Sequence, residues 1–201
     1  ASASFDRTII IWDTSSWQQE TVLQGHDGAV SSVAWSPDGF HLASTSLDRT
    51  AIIWETVTWQ QEAVLQGHKD AVWNAAWQPD GVHLATASSD RTINIWNAAT
   101  WERVTTLTGH TDAVWSVAWH PDGERLASAS SDQNVIIWDT GAWEQKTVLK
   151  GHTDVVRSVA WRPDGAQFSS ASDDQTIIIW DADTWRQEVV LNEHTDAVRN
   201  V

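Results

Sequence analysis

The chain has 201 residues, a net charge of −15, no Cys, no Met and no Tyr, and its 16 Trp far outnumber its three Phe. That length allows one large or two small domains. The acidic balance excludes wrapping a nucleic-acid backbone, which needs a Lys/Arg surplus to displace counterions, and disfavours anionic membrane surfaces. Without Cys there is no disulfide, thiolate nucleophile or Cys-based metal site. No apolar run approaches the ~20 residues of a membrane helix, and no basic-then-apolar leader opens the chain. These absences point to a cytoplasmic setting, and the lack of Met to a piece or processed form of a longer product.

In chain order, Ala1–Ser4 matches Ala127–Ser130, so the chain opens inside a strand. "TIIIWD" (Thr8–Asp13) follows, and from there the sequence repeats with a period of 42 residues. Trp12, Trp54, Trp96, Trp138 and Trp180 mark one phase, and His26, His68, His110, His152 and His194 another. The turn Ser36–Gly39 ("SPDG") returns as "QPDG", "HPDG" and "RPDG". One unit shows the elements. "AVWSVAW" (Ala113–Trp119) is apolar and rich in β-formers. "HPDG" turns the chain, because Pro presets one dihedral and Gly tolerates positive φ. "RLASAS" (Arg125–Ser130) is a second strand with small, closely packing residues. "VIIWD" (Val135–Asp139) is a nearly continuous apolar run, as expected of a strand buried on both faces. "EQKTVLK" (Glu144–Lys150) is more polar and reads as an edge strand. The closing "HTDAVRNV" matches His152–Val159, so the chain stops inside a first strand. The missing stretch corresponds to Ala160–Phe168.

One such unit cannot bury its own faces, but stacked units cover one another. Repeats of this length with Gly-His and Trp-Asp pairs resemble the WD-repeat (WD40) family over the whole chain. The pairs are Gly25-His26, Gly67-His68, Gly109-His110 and Gly151-His152, with Trp12-Asp13, Trp138-Asp139 and Trp180-Asp181. Trp54-Glu55, Trp96-Asn97 and Glu193-His194 depart from the pattern. The resemblance implies an all-β propeller of four-stranded antiparallel blades, about five in this chain. It would form a single domain or propeller segment over residues 1–201, with four complete blades and one split between the termini. His194 would complete the split blade with Ser2, Asp6 and Trp12. Such a chain would belong to a larger ring, assemble with copies of itself, or close alone.

Each unit carries a His, a Ser or Thr, and an Asp, the residue types of a hydrolytic triad. The sets are His26/Ser44/Asp48, His68/Thr86/Asp90, His110/Ser128/Asp132 and His152/Ser170/Asp174, each followed by Trp54, Trp96, Trp138 or Trp180. A nucleophile is needed once, and recurrence in every unit favours a fold skeleton. The resemblance implies a buried network running from Trp through Ser/Thr and His to Asp. No catalytic residue, cofactor or metal site is expected. His41, His83 and His120 read as scattered surface residues without partners at ligand spacing.

The repeats differ most after the first Val of the first strand: Ser31, Trp73, Trp115, Arg157 and Arg199. They also differ before the network Asp: Phe5, Leu47, Ser89, Ser131 and Asp173. The resemblance places these positions on the top face near the channel mouth. Trp and Arg are enriched at binding hot spots, so Trp73, Trp115, Arg157, Arg199, Ser31, Leu47 and Asp173 form the candidate protein-binding set. The opposing reading is internal packing of the Trp residues, covered by the arginines. A second set, Trp17, Trp59, Trp101, Trp143 and Trp185, is invariant and reads as a clasp on the blade edge.

The expected function is a non-catalytic scaffold that binds a protein or peptide, drawn towards basic partners by the net charge. One alternative is a self-assembling repeat module that completes a ring through its split blade and open edges. A propeller hydrolase would be marked by a cluster of ionisable residues confined to one repeat, and the sequence displays none.

Overall fold

The computed structural model describes residues 1–201 and contains only strands and turns. Sheet I holds β1 (Ser2–Ala3), β2 (Thr8–Trp12) and β3 (Gln19–Gln24). Sheet II holds β4 (Val30–Trp35), β5 (His41–Ser46), β6 (Ala51–Glu55) and β7 (Gln61–Leu65). Sheet III is β8 (Val72–Trp77), β9 (His83–Ser88), β10 (Thr92–Asn97) and β11 (Arg103–Thr108). Sheet IV is β12 (Val114–Trp119), β13 (Arg125–Ser130), β14 (Asn134–Asp139) and β15 (Glu144–Lys150). Sheet V is β16 (Val156–Trp161), β17 (Gln167–Ser172), β18 (Ile177–Asp181) and β19 (Gln187–Leu191). Each sheet is an antiparallel meander of consecutive strands, the blade of a propeller. No helix of the chain is long and apolar enough to cross a membrane.

The cores lie between sheets, not within them. Ile9, Ile11 and Leu23 of sheet I meet Val30, Leu42, Ile52 and Trp54 of sheet II. Ile93, Ile95 and Leu107 of sheet III meet Val117, Leu126, Ile136 and Trp138 of sheet IV. The third strand of each unit is a continuous apolar run because both of its faces enter such a layer. Indoles rivet the inner strands together: Trp77, Trp119 and Trp161 donate to the carbonyls of Ala34, Ala76 and Ala118 in the preceding sheet, at 2.9–3.0 Å.

The sheets form an open arc. Strand β1 pairs only with β2, so sheet I has three strands. His194–Val201 carries no strand and takes the place of an inner strand stacked on sheet V. There Val198 N–H donates to the Ser172 carbonyl, as Val30 N–H does to Ser4. Trp12 donates to Ser2 Oγ at 2.9 Å, but His194 does not join them. The end faces are consequently bare. Trp12 is 40 % exposed against 1–4 % for Trp54, Trp96, Trp138 and Trp180, and Leu191 is 44 % exposed against 3–5 % for its counterparts Leu23, Leu65, Leu107 and Leu149.

Candidate protein-binding face

Four complete networks line the junctions. In sheet IV the His110 Nδ1–H donates to Asp132 Oδ2 at 2.8 Å. Nε2 is then free to accept the Ser128 hydroxyl at 2.7 Å, and Trp138 Nε1–H donates to the same Oγ at 2.8 Å. His26, His68 and His152 repeat the arrangement with Ser44, Thr86 and Ser170, and with Asp48, Asp90 and Asp174. Trp54, Trp96 and Trp180 supply the indoles. Each Asp also caps the backbone of the neighbouring loop, as Asp132 does by accepting from Thr111 and Asn134 N–H. Burial opposes the charge on Asp132, but the His110 hydrogen bond and field and those two amides outweigh it and pull its pKa down to about 2. Asp174 is lowered to about 2 as well, where burial is overcome by the Thr176 hydroxyl, the Thr153 amide and His152. Asp48 and Asp90 move in the same direction.

The loops that hold these carboxylates define one face of the arc, and the Pro-Asp-Gly turns define the other. At the first face, Ser31, Trp73, Trp115 and Arg157 share a feature that sequence periodicity did not reveal. Each is the extra residue of a β-bulge, where the inner strand shifts register against its neighbour. A bulge leaves one residue outside the ladder and re-aims its side chain. The four therefore leave the alternation that would bury or expose them by rule.

Trp73 and Trp115 pack in tilted contact with ring centroids 4.5 Å apart and planes at 42°, and the Arg157 guanidinium lies 4.5 Å from the Trp115 ring centroid. The indoles donate to Ser89 and Ser131 Oγ at 2.6 Å. Arg157 Nε donates to both Asp173 oxygens at 2.9–3.0 Å. Trp73, Trp115, Arg157 and Arg199 together line a cavity of about 310 Å³. Ser31 adjoins them, its hydroxyl shared with Thr45 Oγ1 and the Val72 carbonyl. Leu47 and Phe5 are exposed on the same face. The ladder thus packs on itself and also walls a single open space.

On the opposite face the histidine expectation fails. His120 is 5 % exposed, not superficial, and its Nε2–H donates to the Gly165 carbonyl of sheet V at 2.9 Å. Arg125 completes this junction. It donates to the Ala182 carbonyl and to Asp122, and lies 5.8 Å from both the Trp161 and Trp185 rings. His120, Asp122 and Arg125 form an ionisable cluster confined to one repeat, which the sequence reading did not find. The signal was present in the residue before each Pro-Asp-Gly: Ser36, Gln78, His120, Arg162. Gln78 makes the equivalent bond to Gly123. His41 and His83 are half-buried beside Glu62 and Gln78. None of the three lies in a group of ligating side chains able to hold a metal.

The invariant turn tryptophans clasp the junctions from this face. Trp101 of sheet III packs edge-on against Trp77 and against His41 of sheet II, and donates to Glu62. Trp143 does the same with Trp119 and His83.

Comparison with known proteins agrees with this architecture. One 44-residue stretch is 50 % identical to Coronin-7 of Rattus norvegicus, covering 22 % of this chain and 5 % of that protein. A 42-residue stretch is 50 % identical to ribosome assembly protein 4 of Chaetomium thermophilum, covering 21 % of this chain and 8 % of that protein. A 50-residue stretch is 46 % identical to the probable cytosolic iron-sulfur protein assembly protein 1 of Eremothecium gossypii, covering 22 % of this chain and 15 % of that protein. The chain thus matches only a small part of these relatives, about one blade in each. The family described as WD domain, G-beta repeat matches at residues 17–55, 59–97, 101–139 and 143–181. Four successive blades with the Trp–Ser/Thr–His–Asp network and four successive family matches mean that the chain belongs to the WD40 repeat family.

Proposed function

We propose that the chain is a non-catalytic scaffold that binds a protein or peptide segment on the face carrying the networks, at the mouth lined by Trp73, Trp115, Arg157 and Arg199. One observation carries this reading: the positions where the repeats differ most are the bulged residues, and they meet around one cavity. On the inner strands the other changes are small, Ser to Asn at Asn74 and Val to Ala at Ala75, whereas the bulged position passes from Ser to Trp to Arg, more than packing alone would select. Two relatives are named for assembly, of ribosomes and of iron-sulfur proteins, which accords with a scaffold role. The net charge of −15 favours partners with a basic surface and disfavours nucleic acid and anionic membranes.

Catalysis fits poorly. Ser44, Thr86, Ser128 and Ser170 are all fully buried, and each hydroxyl already holds an indole and an imidazole. The repeat-specific ionisable groups are spent on structure, those around His120 on joining sheets IV and V and Arg157 on its pair with Asp173.

The test is selection of binders from a random peptide library on the intact chain, followed by Trp115→Ala and Arg157→Ala. Each change should weaken the selected peptides by roughly tenfold or more, the size of a hot-spot loss. Full retention of binding by both variants would sink the reading. Self-assembly is a second reading, favoured by the bare apolar end faces around Trp12 and Leu191.

A further inference from the structure

The ladder at the mouth follows a rule. Each bulged residue is paired with the residue before the network Asp of its own sheet. Trp73 is paired with Ser89, and Trp115 with Ser131, which accept the indole protons. Arg157 is paired with Asp173, which neutralises it. Sheet II breaks the rule, because its pair is Ser31 and Leu47. Ser31 is too small to stack on Trp73, and its hydroxyl is consumed by Thr45 and the Val72 carbonyl at 2.8 and 2.6 Å. One rung is therefore empty. Its floor offers no free polar group, and one wall is Trp73, on whose second face no other aromatic ring or cation stacks. Leu47 is 37 % exposed beside it, and Phe5, at the same position of sheet I, is 73 % exposed. Both are large apolar side chains left in water on the face that carries the networks, where burial by a partner is favourable.

Resting on the scaffold reading, we propose that the empty rung above Ser31 receives an aromatic side chain of the partner. An arginine in the rung would stack on Trp73 as Arg157 stacks on Trp115. It would also lose water without finding an acid, because Leu47 stands where Asp173 stands in sheet V. An uncharged ring loses nothing there and gains the Trp73 face and the Leu47 side chain. The partner's basic surface is drawn by the bulk charge, but the side chain that enters the rung is aromatic and uncharged.

The experiment is selection from a phage-displayed library of random dodecapeptides on the intact chain, then titration of the synthesised winners. The winners should be enriched in Phe, Tyr or Trp. Ser31→Trp combined with Leu47→Ser fills the rung with the pair that sheets III and IV already carry there, and should weaken these peptides by roughly tenfold while the chain still melts cooperatively. Winners dominated by Lys and Arg, or indifferent to the double change, overturn the proposal. If such peptides still lose binding in Trp115→Ala, the scaffold reading survives alone. A library that yields no binder overturns both.

Discussion

Ser128 Oγ, His110 and Asp132 lie at the distances of a hydrolytic triad, 2.7 and 2.8 Å, and differ from one by burial and by the Trp138 indole on the same oxygen. Their role follows from the cost of leaving such groups unpaired. Asp132→Ala strips the His110 imidazole and two amides of their acceptor, and should lower stability by about 1–3 kcal/mol in thermal or denaturant melting. An unchanged melt would remove the network from the account of stability. The carboxylates also set an acid limit. Asp132 and Asp174 are lowered from an ordinary 3.8 to about 2 on folding, so their ionised form stabilises the fold above about pH 4. That contribution is lost as the pH falls from about 4 towards 2. Denaturant melts between pH 2 and 6 should show this loss, with a shallower slope in Asp132→Asn. The network residues were legible in the sequence because they recur every 42 residues. His120 was not, because its partner is a carbonyl in the next sheet, and a single position before a turn carries no mark of that contact.

The invariant tryptophans matter at the scale of the turn between the third and fourth strands. Each sits at positive φ, from 56° to 60°, a region that side chains with a Cβ enter at a cost. The turn is held by its first residue, as when Asp139 accepts the amides of Gly141 and Ala142. What repays the strain is packing across the junction, and sheet I has no preceding sheet to pack on. Trp17 is 74 % exposed there, while Trp143 lies against Trp119 and His83. Trp17→Gly should therefore leave stability unchanged or raise it by less than about 1 kcal/mol, the relief of strain exceeding the added freedom of the unfolded chain. Trp143→Gly should lose about 2 kcal/mol, because its contacts outweigh the same relief. Equal effects in the two melts would refute the clasp. Strand limits were readable from composition: Arg125–Ser130 and Glu144–Lys150 match β13 and β15 residue for residue. The inner-strand bulges were hidden, because an extra residue changes register with the neighbouring strand and leaves the apolar pattern of its own strand intact.

Over the whole molecule two forces oppose each other. The interior junctions bury a Trp and a Leu from each facing pair of sheets, and the two end faces present the same residues to water at Trp12 and Leu191. Apolar faces attract, and one end carries an inner-strand segment while the other ends in a three-stranded sheet that lacks one. A net charge of −15 on every copy repels. Salt screens the repulsion over about 8–10 Å near physiological strength and leaves burial of apolar area largely intact. The mean mass in light scattering should therefore rise with protein concentration and rise further with added salt. Leu191→Lys places a charge on one end face without touching a buried contact, and should return the chain to monomer mass at every salt concentration. A mass that ignores salt and the Leu191 change would mean that the end faces do not adhere.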